Sequence, residues 1–343
     1  MSVTIAIPTY NRNDIFRTNL EKLLPQVTDE CKIIIFDNCS DIPVKDTIKD
    51  LLKDYSNIDI NIVTNRHNVG MTANILKCFE NCSDPWLWIL GDDDEVTDDA
   101  VERILSDIDR HKEMHFITYA WDEDSFNNRS QEVTTTGIDE FIETFETFGA
   151  VLFLSTSVYN MKKVIGSMSY AHFFQSSYAP HLVMLFMSLG DRGKCIYSDN
   201  QIVKNKADDT PNHLKWDQIF IYQLTLLLRL PLKPKTVDKL KKRFEQLTRV
   251  WSIYHFIYSL TFMNHEEGAI NKPTILYDEI VRGFFHLDRR LSTRATIWIG
   301  YFIVKYPFLF KRILSFTYKL IKAIFVFLSF KFSFLHCNRD ISL

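Results

Sequence analysis

The run Asp92-Asp93-Asp94 is the part of this sequence best suited to chemistry. It follows the apolar stretch Trp86-Leu-Trp-Ile-Leu90 after a single glycine, Gly91. Three adjacent carboxylates repel one another, so placing them together is unfavourable unless a cation or a donor-rich ligand sits among them. An Asp-x-Asp pair at a strand end puts two carboxylates on one side of the backbone. Mg²⁺ takes one or two such carboxylates and completes its shell with phosphate oxygens and water. The simpler alternative is an acidic loop that caps the next helix, but Asp98 and Asp99 already suit that task, in the first turn of a helix capped by Thr97 and running to about His111. Asp37 ends another apolar run, Ile33-Ile-Ile-Phe36. An aspartate there either forms a turn or accepts a hydrogen bond from a nucleobase or ribose.

The elements that must carry these residues follow from periodicity. Val3–Ile7, Lys32–Phe36, Ile58–Val63 and Trp86–Leu90 are short and rich in Ile, Val and aromatics, which predicts buried strands. Asp14–Leu24, Val44–Tyr55 and Met71–Asn81 lie between them with helical spacing. Strand–helix–strand order implies right-handed crossovers and a mainly parallel sheet flanked by helices. Ligands of such sheets bind beyond the carboxyl ends of the strands. Four polar clusters stand there: Pro8-Thr9-Tyr10-Asn11-Arg12, Asp37-Asn38-Cys39-Ser40-Asp41, Asn65-Arg66-His67-Asn68-Val69-Gly70 and Gly91–Glu95. Further on, His115–Ala120, Val151–Val158 and Lys194–Tyr197 read as strands and Pro180–Leu189 as a helix. From about Pro211 the pattern is almost wholly helical, giving an expected division into residues 1–210 and 211–343.

Composition narrows the function. The 343 residues carry a formal net charge of −3, which excludes a generally basic nucleic-acid binder. Six cysteines without C-x-x-C spacing give no support to a disulfide framework or a structural zinc site. The first residues lack a basic segment followed by a long apolar one, so no signal peptide is expected and the cytoplasm is the expected compartment. The charge is uneven: residues 282–343 hold five Lys and six Arg against Asp288 and Asp340. Within 294–335, Lys305, Arg312 and Lys319 recur every seven residues among Phe, Leu and Ile. The longest uncharged stretch, Ala295–Val304, is too short to span a bilayer. A basic stripe on an apolar helix suits the membrane interface; packing on the rest of the protein is the alternative.

Taken together, Ile5-Ala-Ile-Pro-Thr-Tyr-Asn-Arg12, Phe36-Asp-Asn-Cys-Ser-Asp41, Asn65-Arg-His-Asn-Val-Gly70 and Leu90-Gly-Asp-Asp-Asp94 resemble the nucleotide-sugar half of the family-2 glycosyltransferases, which have the GT-A fold. The Leu-Gly-Asp-Asp-Asp form is similar to members that build bacterial O-antigens and capsules. The resemblance implies a nucleotide-diphosphate sugar donor, with Pro8, Thr9 and Tyr10 lining the base pocket and Asp37 bonding the base. Asn38 belongs to the same donor-binding set, and Asn65, Asn68 and Gly70 would border ribose and diphosphate. Asp92, with Asp93 beside it, would contact ribose or sugar, and Asp94 would hold Mg²⁺ or Mn²⁺. Arg12 would aid the phosphate or close a structural pair.

It also implies transfer with inversion to a saccharide acceptor, carried on a polyprenyl diphosphate at the cytoplasmic face of the inner membrane. The family places a carboxylate base at the start of a later helix; here His181 stands at that point, with Asp191 as the runner-up. The family's later metal-binding histidine is replaced by Asn205. These departures leave open a second reading: a catalytically decayed nucleotide-sugar-binding or scaffold protein of a polysaccharide assembly complex. A nucleotidyltransferase would want a glycine-rich phosphate loop after the first strand, which Pro8–Arg12 does not offer. Membrane spans and a Gln-x-x-Arg-Trp signature, marks of the processive members, are missing, so single addition is expected.

Overall fold

The computed structural model describes residues 2–120, 131–144, 151–204, 223–247 and, between 295 and 310, residues 295, 298–300, 302–303, 305–306 and 309–310. The chain divides into two compact units, Met1–Thr210 with Leu226–Arg243, and Pro211–Thr225 with Phe244–Leu343.

The first unit begins with the expected alternation. Strand β1 (Val3–Thr9), helix α1 (Asn13–Leu23), β2 (Cys31–Asp37), β3 (Asp59–Thr64), α4 (Met71–Glu80) and β4 (Trp86–Ile89) follow in order. The expected helix over Val44–Tyr55 is broken at Ile48 into α2 (Val44–Thr47) and α3 (Lys49–Asp54). A two-residue strand β5 (Glu95–Val96) and helix α5 (Ala100–Arg110) come next. Thr97 does not cap α5: its hydroxyl donates to Asp99, the residue that precedes the helix. Strands β6 (Phe116–Ala120) and β7 (Val133–Thr136), helix α6 (Gly137–Thr144) and β8 (Ser157–Asn160) continue the chain. Helices α7 (Met161–Val164), α8 (Met168–Phe173) and α9 (Pro180–Leu189) precede β9 (Lys194–Gln201) and β10 (Val203–Lys204). Helix α10 covers Pro234–Leu247. The expected strand over Val151–Val158 is a 3₁₀ turn, Leu154–Thr156, that leads into β8.

Eight strands form one sheet in the order β3-β2-β1-β4-β8-β6-β9-β7, and β5 pairs with β10 in a small ribbon. The first four strands are mutually parallel. β8 runs against both β4 and β6, β9 runs with β6, and β7 runs against β9. The GT-A sheet expected from the sequence is present, mixed but mostly parallel. Alternating side chains of β1 divide the core: Val3, Ile5 and Ile7 join Phe16, Leu20 and Leu23 of α1 and Ile104 and Ile108 of α5. Ala6 is equally buried, and α4 packs across β1, β2 and β4. Helices therefore cover both faces, which is why the central strands read as continuous apolar runs.

β1 connects to β2 on one side, and the chain later returns to place β4 on the other. That reversal is a topological switch point, where open α/β sheets form their ligand crevice.

In the second unit, helical residues lie at 295, 298–300, 302–303, 305 and 309–310. Trp298, Ile299 and Phe302 are exposed, and Lys305 Nζ lies 5.6 Å from the Tyr306 ring centroid. The remainder of the basic segment expected at 294–335 is outside the described residues. Among the described residues, no helix is long and apolar enough to cross a membrane.

Candidate active site

The loops leaving β1 and β4 meet at the switch point, and their side chains sort the three aspartates by partner. Thr9, the last residue of β1, donates its hydroxyl to Asp92 Oδ2 at 2.7 Å. Arg12 donates to Asp92 Oδ1 at 3.1 Å and to Asp93 Oδ2 at 2.6 Å. Asn19, buried on α1, holds the Asp92 carbonyl at 3.1 Å. Both Asp92 oxygens are thus engaged by the protein, and a guanidinium offsets the charge of Asp92 and Asp93 together.

Asp94 is held differently. The Ser155 hydroxyl donates to Asp94 Oδ2 and accepts from the Gly91 amide at 2.8 Å. Asp94 Oδ1 has no partner among the described residues. Burial pushes the Asp94 carboxyl up to about 6, with repulsion from Asp93 and Asp92 adding to the shift and Ser155 and Arg12 opposing it. Burial also raises the Asp92 carboxyl, again with repulsion from Asp93, against Thr9 and Arg12.

A divalent cation fits this arrangement at Asp94. Its second oxygen has no partner among the described residues, burial and the neighbouring carboxylates disfavour its bare anion, and a single carboxylate suffices for Mg²⁺ or Mn²⁺ when diphosphate oxygens complete the shell. Among the described residues, no group of three or more His, Cys, Asp or Glu side chains could form a cage by itself. Asn205, where the sequence departs from the family's histidine, lies outside the described residues.

The β2 and β3 loops complete the edge. Asp37 is fully buried and accepts backbone amides from Ser40 at 2.9 Å and Val44 at 3.2 Å. Its carboxylate therefore shapes the loop that starts α2. Asn38 accepts from Asn65 Nδ2 at 2.9 Å and the Val69 amide at 3.0 Å, and donates to Asn68 Oδ1 at 2.8 Å. Asn65 also donates to Asn74 Oδ1 at 2.9 Å and accepts from Lys77. Asn68 Oδ1 receives the Gly70 amide at 2.8 Å. Gly70 precedes α4 at φ 83°, a left-handed conformation that glycine adopts without strain. Asn11, at φ 52°, ties the first loop to the second, donating to Asp41 at 3.1 Å and accepting its amide at 2.8 Å. Pro8 is half-buried, while Tyr10 is exposed beside them, 41% of its surface open.

The structure thus brings Thr9, Arg12, Asp92, Asp93 and Asp94 into one network, and Asn38, Asn65, Asn68 and Gly70 into a neighbouring one. His181 and Asp191 belong to neither. His181 is in the first turn of α9, 2% exposed, and among the described residues neither ring nitrogen makes a well-formed hydrogen bond, although the backbone at Val151 and Leu152 lies near enough to act on it. Burial pushes its imidazole down to about 3, against a small opposing effect from the backbone at Val151 and Leu152. Asp191 follows the other end of α9, about 15 Å of helix away, exposed and paired with Lys233. The two cannot serve the same hydroxyl.

Three participants were not singled out from the sequence: Ser155, Asn74 and Tyr178. Ser155 lay hidden in a stretch read as strand. Tyr178, at φ 67°, turns its phenol to Met71 Sδ at 3.5 Å, close enough to Arg12 for that charge to act on it.

Comparison with known proteins gives a consistent picture. Residues 4–162 match the family model described as Glycosyl transferase family 2. A Haemophilus influenzae protein described as an uncharacterized glycosyltransferase is 25% identical over 115 residues, 34% of this chain and 37% of that one. The match thus spans about a third of the curated relative's length. Among solved structures, S. aureus TarS 1-349 in complex with UDP-GlcNAc has a TM-score of 0.56 at 11% identity, over 90% of this chain and 91% of that chain. A Pyrobaculum calidifontis mannosyltransferase in complex with GDP-Man and Mn²⁺ has a TM-score of 0.55 at 11% identity, over 89% and 87%. At these identities the structural likeness establishes the fold.

Proposed function

We propose that this chain, whose residues 4–162 match the family-2 glycosyltransferase model, moves a sugar from a nucleotide-diphosphate donor to an acceptor hydroxyl. One observation carries the reading: at the β1/β4 switch point Arg12 and Thr9 occupy Asp92 and Asp93, while Asp94 is fixed by one oxygen and presents the other. A diphosphate needs a cation where its charge grows. A divalent metal supplies that charge as a Lewis acid when bound, and Asp94 would hold it.

The remaining roles belong to the protein's own residues. Tyr10 offers an exposed ring for the base, bordered by Pro8 and Thr9. Asp37 supports the base pocket by fixing its loop. Asn38, Asn65, Asn68 and Gly70 border ribose and diphosphate, and Asp92 with Asp93 faces the sugar side. Proton removal from the acceptor falls to His181 or Asp191. A neutral imidazole is in the right state at pH 7, but a pKa pushed to about 3 makes it a weak base.

The structural neighbours' ligands, UDP-GlcNAc and GDP-Man with Mn²⁺, make uridine and guanosine diphosphosugars the first donors to try. The basic, aromatic segment at 294–335 supports a peripheral position on the inner membrane and a polyprenyl-diphosphate-linked acceptor in bacterial surface polysaccharide synthesis.

Calorimetric titration with UDP and GDP, with and without Mn²⁺, tests the reading. One nucleotide is expected to bind with Mn²⁺ and to lose at least tenfold in affinity in Asp94→Ala. Folded protein that binds neither nucleotide would sink it. The burial of His181, which pushes its imidazole down to about 3, favours one alternative, a decayed site that binds donor without transferring it. Binding without turnover of any donor over a range of acceptors is its signature.

A further inference from the structure

We propose that Ser155 is a positioning residue for the cation and diphosphate, acting through Asp94. This rests on the donor-site reading above. β4 and β8 are antiparallel, pairing Trp86 with Asn160, Leu87 with Tyr159 and Trp88 with Val158. Continued past the ends of both strands, that register sets Ser155 opposite Gly91. The acidic loop and the 3₁₀ turn before β8 therefore meet because of the strand pairing, although 61 residues separate Ser155 from Asp94.

The contact is built on three sides. The Ser155 carbonyl accepts the Trp88 indole N–H at 2.8 Å. Its hydroxyl accepts the Gly91 amide at 2.8 Å and spends its own proton on Asp94 Oδ2. Ser155 is 1% exposed, so water does not compete for these bonds. A hydroxyl has one proton, and with the Gly91 amide directed at its oxygen that proton is aimed at the carboxylate. Asp94 is thereby held by one oxygen, with the other left for a ligand. A carboxylate fixed in this way binds a metal without first giving up side-chain freedom, and removing such a support typically weakens metal binding about 10–100-fold.

Gly91 completes the device. A Cβ there would collide with Asp94 Oδ2 and crowd Ser155 Oγ at 3.2 Å, so any larger residue at 91 would displace the Asp94 carboxylate from the hydroxyl.

The test is Ser155→Ala, with Ser155→Thr retaining the hydroxyl. Mn²⁺ is titrated into protein saturated with whichever of UDP or GDP the wild type binds, by electron paramagnetic resonance of free Mn²⁺. Thermal melts and metal-free nucleotide affinity are measured on the same samples. The expected result is a 10–100-fold rise in half-saturating Mn²⁺ for Ser155→Ala, with metal-free nucleotide affinity within about twofold of wild type. Ser155→Thr is expected to stay within about threefold of wild type. A cooperatively folded Ser155→Ala protein with wild-type Mn²⁺ affinity overturns the proposal while leaving the donor site standing. So does a Ser155→Thr protein that folds and binds Mn²⁺ as weakly as the alanine variant. A wild type whose nucleotide binding ignores Mn²⁺, and is unchanged by Asp94→Ala, removes the donor-site reading and this proposal with it.

Discussion

In β3-β2-β1-β4 every strand runs the same way, so every loop leaving a carboxyl end arrives at one edge. In β8-β6-β9-β7 the directions are mixed, and β8 meets that edge with its amino end, through the turn holding Ser155. The parallel half gathers many polar side chains there, tied into two networks. Among the described residues, the mixed half adds the Ser155 hydroxyl, whose position depends on strand register. Parallel topology collects chemistry by default, whereas antiparallel pairing places one residue by counting.

The sharpest way to break this contrast is at Gly91, where the halves touch. Gly91→Ala would push the Asp94 carboxylate off Ser155. The expected outcome is a 100-fold or larger fall in kcat/KM for transfer, because displacements of about 1 Å carry that cost. The fold should survive, since Gly91 is half-buried and the atoms an added Cβ would meet belong to the Asp94 and Ser155 side chains. Steady-state kinetics beside a thermal melt check both. Activity within threefold of wild type would show that the two halves need no close contact.

Much of the parallel half was legible in the sequence. β1, β2 and β4 are buried and lie among amphipathic helices, so pattern and order located the edge; β3, expected to be buried, is the sheet's outer strand and is half-exposed. Asp92, Asp94, Asn65 and Asn68 follow from their place just after strands. Asp37 was legible as a strand-end residue, yet its bonds to Ser40 and Val44 depend on loop geometry that spacing does not encode. The mixed half was less legible. Val151–Val158 is as apolar as a strand, but its first part turns, and only the pairing partner reveals Ser155 opposite Gly91. Strand β7 is Val-Thr-Thr-Thr, mostly exposed, and carries little apolar signal.

Acidity sharpens the comparison within the triplet. Burial raises both the Asp92 and Asp94 carboxyls, but Arg12 bonds Asp92 directly, whereas the bonded partner of Asp94 is a hydroxyl and its carboxyl is pushed up to about 6. A cation binds the deprotonated form. Mn²⁺ affinity is therefore expected to be flat above about pH 6.5 and to fall toward tenfold per unit below about pH 6. In the unliganded protein this group acts with the opposite sign: a carboxyl whose folded pKa exceeds its unfolded value of 3.8 takes up a proton on folding, so its contribution to stability rises as pH falls from about 6 toward 4. The buried His181, pushed down to about 3, works against it over the same range, so the contribution of Asp94 is read as the difference between wild type and Asp94→Asn. Mn²⁺ titrations and melts at half-unit steps test both slopes. A flat Mn²⁺ affinity from pH 5 to 7 would remove Asp94 from the cation's shell.

The smallest effect is expected at His181, in the mixed half. Its imidazole is buried and neutral, and among the described residues neither nitrogen has a well-formed hydrogen bond. Desolvated, unpaired polar atoms cost stability, so a leucine of similar volume should hold or slightly raise the melting temperature. A base with a pKa near 3 takes a proton poorly at pH 7, which sets its catalytic share low. His181→Leu is accordingly expected to lower kcat less than tenfold, with Mn²⁺-dependent nucleotide affinity unchanged. A loss of 100-fold or more in kcat alone would make His181 the base after all. The mixed half would then supply the proton acceptor as well as the hydroxyl that holds Asp94, and the division of labour between the two halves would need redrawing.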